Sequence, residues 1–207
     1  MKPPFYFSIV KYAVVYCFVF LILGCDAQEY KLNEGDIIFQ TTDTKQTKLI
    51  KELTHSDITH CGLVYKKGDK FYVIHAVDPV SSMPFETWIA RGVKGKYKVI
   101  RLKKTFGEEE KKKMFDFAKK QIGKPYDKKF EWSNSKLYCS EFVWKVFDSV
   151  GITLCEPKKF SDYDLDNQEA QNAIKNRYKG DINFEEKVVT PVDLLKSPLG
   201  ELVYDGY

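Results

Sequence analysis

The sequence is poor in the groups from which many sites are built. Only three histidines occur in 207 residues, at positions 55, 60 and 75, and the five cysteines include no Cys-x-x-Cys pair. Zinc-ribbon and thioredoxin-like readings therefore have no support. No acidic residue precedes Asp26, and no internal repeat or low-complexity tract interrupts the chain. No basic stripe with interleaved aromatics is present either, which argues against a nucleic-acid partner.

What is present fits one domain. The length leaves little room for a second, and 43% hydrophobic with 15% aromatic residues can bury a real core. Residues 5–23 are almost wholly apolar, with Lys2 and Lys11 near the front. A positive start followed by an apolar run reads as an export signal. It is also nearly long enough to span a bilayer, so an uncleaved anchor is the alternative. The ending Ile22-Leu23-Gly24-Cys25 resembles a bacterial lipobox. On that reading residues 1–24 are a lipoprotein signal peptide, Cys25 is the lipidation site, 25–34 form a tether and 35–207 form the domain. The expected location is the bacterial cell envelope, outside the cytoplasm and anchored to a membrane. Losing residues 1–24 leaves 31 basic against 29 acidic side chains, a charge of +2. Cys61, Cys139 and Cys155 then remain, an odd number, so at least one thiol is unpaired where disulfides are permitted.

Hydrophobic spacing predicts a strand at Ile37–Gln40, a short helix over 44–53, and a polar loop carrying His55. Two strand-like runs follow, 60–65 and 70–76, separated by Lys66-Lys67-Gly68-Asp69. If Lys66 pairs with Asp69, His60 lies directly opposite His75 and the two share a face of the hairpin. A helical turn is expected around Trp88 and a half-buried strand at 97–102. The next helix would open with a capping box of Thr105 and Glu108, and its apolar face would be Met114, Phe117, Ala118 and Ile122. Beyond a loop over 127–136, a helix begins near Cys139, with Phe142, Val143, Val146, Phe147 and Val150 on one face and Gly151 ending it. A short helix is expected at 168–178, another after Thr190-Pro191, and a last strand at 199–204. Strands close enough to pair antiparallel, mixed with helices, argue an α+β fold.

The chemistry centres on Tyr138-Cys139-Ser140-Glu141. A cysteine in the first turn of a helix sits among unpaired N–H groups at the positive end of the dipole, which favours the thiolate. A buried structural thiol is the alternative. A nucleophile needs a base, and the base needs a third group to orient it. Two of the three histidines, His60 and His75, fall side by side in the expected hairpin. Glu141 lies about 200° around the helix from Cys139, which suits a salt bridge or solvent. Cys61 alternates to the face opposite His60 and reads as core. Cys155 and His55 carry no assigned role.

The ordered set His60-Cys-Gly-Leu-Val-Tyr, Tyr72-Val-Ile-His75-Ala and Tyr138-Cys139-Ser-Glu-Phe-Val resembles the circularly permuted papain-like cysteine hydrolases of the NlpC superfamily, nearest to the YiiX-like branch. Gly35-Asp36-Ile-Ile-Phe, Gly123-Lys-Pro-Tyr126-Asp and Thr190-Pro-Val-Asp-Leu-Leu extend the likeness over the mature chain. The histidines precede the cysteine, the order also found in lecithin:retinol acyltransferase-like enzymes. The resemblance implies an antiparallel sheet packed on a central helix that bears Cys139 as nucleophile. It implies His60 as base and His75 as the orienting group, where many YiiX-like relatives have Glu. It also implies Tyr126 beside the oxyanion, and no metal or organic cofactor. The expected activity is a membrane-tethered amidase or peptidase working through an acyl-enzyme, on a cell-wall peptide (a muropeptide) or an acylated, lipid-like molecule. A lipid-directed acyltransferase or thioesterase, and a non-catalytic binding lipoprotein, are the alternatives.

Overall fold

The computed structural model describes residues 30–179 and 182–207. The leader and Cys25 lie outside them. Among the described residues no helix is long and apolar enough to cross a membrane. Along the chain run β1 (Ile37–Gln40), α1 (Lys45–Thr54), β2 (His60–Lys67), β3 (Lys70–His75), β4 (Ser81–Pro84), α2 (Phe85–Ala90) and β5 (Lys98–Leu102). There follow α3 (Glu108–Lys120), α4 (Cys139–Asp148), β6 (Lys158–Lys159), α5 (Gln168–Tyr178), β7 (Lys187–Val188), α6 (Pro191–Leu195) and β8 (Gly200–Asp205). Six strands form one antiparallel sheet in the order β4-β3-β2-β1-β5-β8. The expected α+β class holds.

Side-chain alternation divides the sheet between two cores. Ile37, Phe39, Cys61, Leu63 and Ile74 join Met114, Phe142, Val146 and Phe147 on the side of α3 and α4. Ile38, Val64, Val73 and Val99 join Met83 and Trp88 on the other. Because β1 is central, all four of its residues are buried. Helix α4 is the apolar axis of the domain: Phe142, Val143, Val146 and Phe147 are fully buried, at the spacing the sequence showed. Cutting either phenylalanine to Ala would cost about 3–5 kcal/mol. The helix stops at Asp148, and Gly151 takes a left-handed φ of 77° just beyond. A third cluster joins α1 to α5 through Leu49, Ile50, Leu53, Phe160 and Tyr178, and Tyr138, which precedes Cys139, belongs to it.

Three expectations need correction. First, the hairpin pairs Lys67 with Lys70, so Leu63 faces Ile74 and the register is displaced by two residues from the expected one. The chain turns on Gly68 and Asp69 alone, with Gly68 at φ 60°, which glycine adopts without strain. A displacement of two preserves the faces, so His60 and His75 remain on one side as diagonal neighbours. Second, α3 starts after Gly107, whose N–H donates to Glu110 Oε2 at 3.1 Å, so the capping pair is not Thr105 and Glu108. Its buried face is Met114, Phe115 and Ala118, while Ile122 lies past the helix end and is 45% exposed. Third, residues 30–34 are not a free tether. Tyr30 packs on Tyr204 with centroids 5.2 Å apart, and the Arg101 guanidinium donates to the Lys31 carbonyl at 2.6 Å and to buried Asp36 at 2.8 and 2.9 Å.

Candidate active site

Cys139 is the first residue of α4, after an extended Tyr138 (φ −98°, ψ 168°). Two ties hold this helix start against the chain before α6: Ser140 Oγ donates to the Val189 carbonyl at 2.7 Å, and the Val189 N–H donates to Tyr138 Oη at 3.1 Å. Glu141, turned away from the cysteine as expected, is fully buried rather than solvated. It pairs with Lys145 at 2.7 Å and accepts the Tyr138 N–H at 3.3 Å. Burial, working against Lys145, lifts its carboxyl to about 7.

His60 opens β2 and His75 closes β3, so both sit at one end of the sheet. Their rings meet with His60 Nε2 2.7 Å from His75 Nδ1. Gly62 makes this possible. By register it faces His75, and a Cβ there would lie 3.2 Å from His75 Cβ and 2.4 Å from Val73 Cγ1. Trp88, from α2, stacks on His60 with centroids 5.9 Å apart and directs its indole N–H to His75 Nδ1 at 3.2 Å. Burial, reinforced by the charges of His60 and Arg91, lowers His75 to about 2, so it stays neutral.

The sequence set His60 on one face of β2 and the cysteine helix packs on the other. Being the first residue of its strand, His60 lies at the rim, and its ring reaches the Cys139 sulfur. Cys61 projects to the α4 side and is core, as expected. It has a further consequence: its thiol is placed to hydrogen-bond the Cys139 sulfur. That bond, with the bond to His60 and the His60 charge, holds the Cys139 thiol well below its ordinary value, against the desolvation of a site only 2% exposed. Burial drives the other two thiols the opposite way, Cys61 well above the usual range and Cys155 to about 12. Among the described residues all three cysteines are free.

Tyr126 reaches the same place from the loop after α3. The Leu137 N–H donates to the Pro125 carbonyl at 3.2 Å and the Asp127 N–H to the Leu137 carbonyl at 3.1 Å, setting Tyr126 beside Leu137 as a parallel bridge. Burial, then the Cys139 charge, raises its hydroxyl pKa, so it remains a donor. Arg177 of α5, over the Phe130 ring at 3.8 Å, faces that hydroxyl. A cavity of about 310 Å³ opens here, lined by Gln40, Thr42, His60, His75, Arg91 and Tyr126. Cys139 borders a neighbouring, nearly closed apolar cleft with Ile50, Leu53, Phe130 and Val189.

All four domain residues singled out from the sequence therefore converge, and Cys61, Trp88 and Arg177 join them without having been assigned a role. No local signal marks those three, since each acts through a packing contact between distant segments. His55 stays outside, exposed and 2.7 Å from Asp164, and Cys155 is half-buried elsewhere. The arrangement can generate a thiolate beside an imidazole and set a hydroxyl donor near the atom it attacks.

The family model described as "Permuted papain-like amidase enzyme, YaeF/YiiX, C92 family" matches residues 31–204. The uncharacterized protein YiiX of Escherichia coli K12 is 39% identical over 179 residues, spanning 86% of this chain and 89% of its own. A crystal structure described as metalloprotein YiiX from Escherichia coli O157:H7 superposes with a TM-score of 0.81 at 40% identity, covering 84% of this chain and 98% of that one. "Metalloprotein" is said of that relative. Among the described residues here no group of three or more His, Cys, Asp or Glu side chains is placed to hold a metal ion. With the match running through nearly the whole described domain, the chain belongs to the permuted papain-like amidase family C92 of the YaeF/YiiX type.

Proposed function

We propose that the protein is a cysteine hydrolase in which Cys139 is the nucleophile, His60 the base and His75 the group that orients the base. The observation that carries this is the contact line from the Cys139 sulfur through the His60 ring to His75 Nδ1. His60 takes the thiol proton, and the thiolate attacks the carbonyl carbon of an amide or ester. The Cys139 N–H, free at the helix start, and the Tyr126 hydroxyl stabilise the oxyanion. Collapse breaks the bond to the leaving amine, which takes its proton from His60. Water, deprotonated by His60, then attacks the thioester and frees the acid.

A cell-wall peptide delivered to a membrane-tethered enzyme outside the cytoplasm is the substrate this reading favours. An acylated substrate is the second reading, because the order of histidines before the cysteine is shared with acyltransferase-like enzymes. An acceptor other than water would make the same machinery an acyltransferase. The intact Cys139, His60 and His75 set argues against a binding lipoprotein without activity.

Alkylation by iodoacetamide at pH 6, read residue by residue by mass spectrometry, tests the mechanism. Cys139 should react far faster than Cys61 and Cys155, and His60→Ala should shrink the difference. A Cys139 that reacts like an ordinary thiol would sink the proposal. Incubating wild type and Cys139→Ala with muropeptides and with acyl lipids then chooses between substrates.

A further inference from the structure

We propose that the indole N–H of Trp88 sets the tautomer of the His60–His75 pair, making Trp88 a positioning residue that keeps the base nitrogen of His60 open toward Cys139. The inference deepens the function proposed above and rests on it.

The argument is one of donors and acceptors. An indole has one N–H and no acceptor in its plane, so it can only donate. Trp88 is fully buried, and its N–H goes to His75 Nδ1 at 3.2 Å. That nitrogen must carry a lone pair, so the single proton of neutral His75 is on Nε2. The same Nδ1 lies 2.7 Å from His60 Nε2. With no proton to give, it can only accept there too, its one lone pair shared between the two donors, and His60 holds its proton on Nε2. The remaining nitrogen of His60, Nδ1, is thereby left with its lone pair for the Cys139 thiol proton. Turning the His75 ring over would not serve, because a carbon would then face both the indole and His60 Nε2.

Without the indole the bond between the two histidines could run in reverse. His75 would donate from Nδ1, His60 would accept on Nε2, and His60 would present an N–H to Cys139. That form cannot take a proton from the thiol. The reverse form has an advantage that the indole must overcome. In the productive form His75 Nε2 carries the proton, and this atom is buried with no hydrogen-bond partner among the described residues. A buried N–H without an acceptor is costlier than a bare lone pair. The productive tautomer is thus the less comfortable one for His75 alone, and the Trp88 donor is what holds it. A carboxylate at position 75 would need no such device, being an acceptor in any orientation.

The test is nitrogen-15 NMR of histidine-labelled full-length protein, with Cys139 alkylation measured alongside. In wild type His75 should show a protonated Nε2 and a bare Nδ1, and His60 a protonated Nε2 whether or not its Nδ1 has taken the Cys139 proton. Trp88→Phe keeps the ring and removes the donor. It should shift the pair toward the reversed tautomer and slow Cys139 alkylation at pH 6 roughly tenfold, the size expected for one buried hydrogen bond. A wild-type His75 protonated on Nδ1 overturns the inference without any variant. So does a Trp88→Phe protein with unchanged tautomers. The two failures are separable: slow, ordinary alkylation of wild-type Cys139 refutes the catalytic reading, whereas fast alkylation with tautomers indifferent to Trp88 refutes only this one.

Discussion

Cys61→Ala is the sharpest perturbation of the proposed nucleophile that leaves both histidines in place. The Cys61 thiol is the largest influence lowering the Cys139 pKa, ahead of His60. A hydrogen bond to an ionised acceptor contributes about 1.5–3 kcal/mol, and a thiol is a weak donor, so about 1–1.5 kcal/mol is a fair value. At 1.36 kcal/mol per unit this raises the Cys139 pKa by roughly one. Desolvation then opposes His60 with less help, and the thiolate fraction near neutral pH falls. Removing a fully buried sulfur also leaves a small void, a cost of about 1 kcal/mol in stability. The assay is the rate of Cys139 alkylation from pH 4 to 9 in wild type and variant, with Cys61→Ser restoring a hydroxyl donor. The midpoint should move up by about one unit in Cys61→Ala and return part of the way in Cys61→Ser. An unchanged midpoint in Cys61→Ala would show that His60 alone sets the thiolate, and that the contact between the two sulfurs is only packing.

Three further outcomes are expected. Tyr126→Phe keeps the ring and loses the oxyanion donor, so once a substrate is in hand kcat should drop about 10²- to 10³-fold with KM little changed; a rise in KM alone would make Tyr126 a binding residue. Gly62→Ala forces a Cβ to within 2.4 Å of Val73 Cγ1 and 3.2 Å of His75 Cβ, which should cost about 1–3 kcal/mol in urea unfolding and slow Cys139 alkylation; a fully stable, fully reactive variant would refute the close approach. His75, held neutral down to about 2 in the fold, is protonated near 6.5 when unfolded. The unfolded chain then binds the extra proton, so His75 removes stability as pH falls below 6.5, by about 2 kcal/mol at pH 5. Glu141, raised to about 7, runs the other way, since its protonation on acidification favours the fold. Subtracting the His75→Gln denaturation curve from wild type isolates the histidine, and parallel curves between pH 7 and 5 would contradict its burial as a neutral ring.

The sequence by itself determined what depends on local periodicity. The apolar face of α4 follows from Phe142, Val143, Val146 and Phe147, because a helix repeats every 3.6 residues wherever it lies. Placing His60 and His75 on one face needed only the parity of a strand, which survives a register displaced by two. The order of histidines before cysteine carried the family, and Pro125-Tyr126-Asp127 marked the tyrosine proposed for the oxyanion. The turn residues that fix the register were ambiguous, since Lys66-Lys67-Gly68-Asp69 supports pairing at either Lys66 or Lys67. Tertiary structure alone decided which elements cross. It set Cys61, from the far face of β2, against the sulfur of Cys139, because α4 begins over that strand. It brought Trp88 of α2 to His75 Nδ1, and Arg177 of α5 to Tyr126. These contacts join segments whose separation along the chain carries no periodic signal, and they depend on packing that only the assembled core supplies. The proposed nucleophile and base were legible from the chain; the groups packed around them were not.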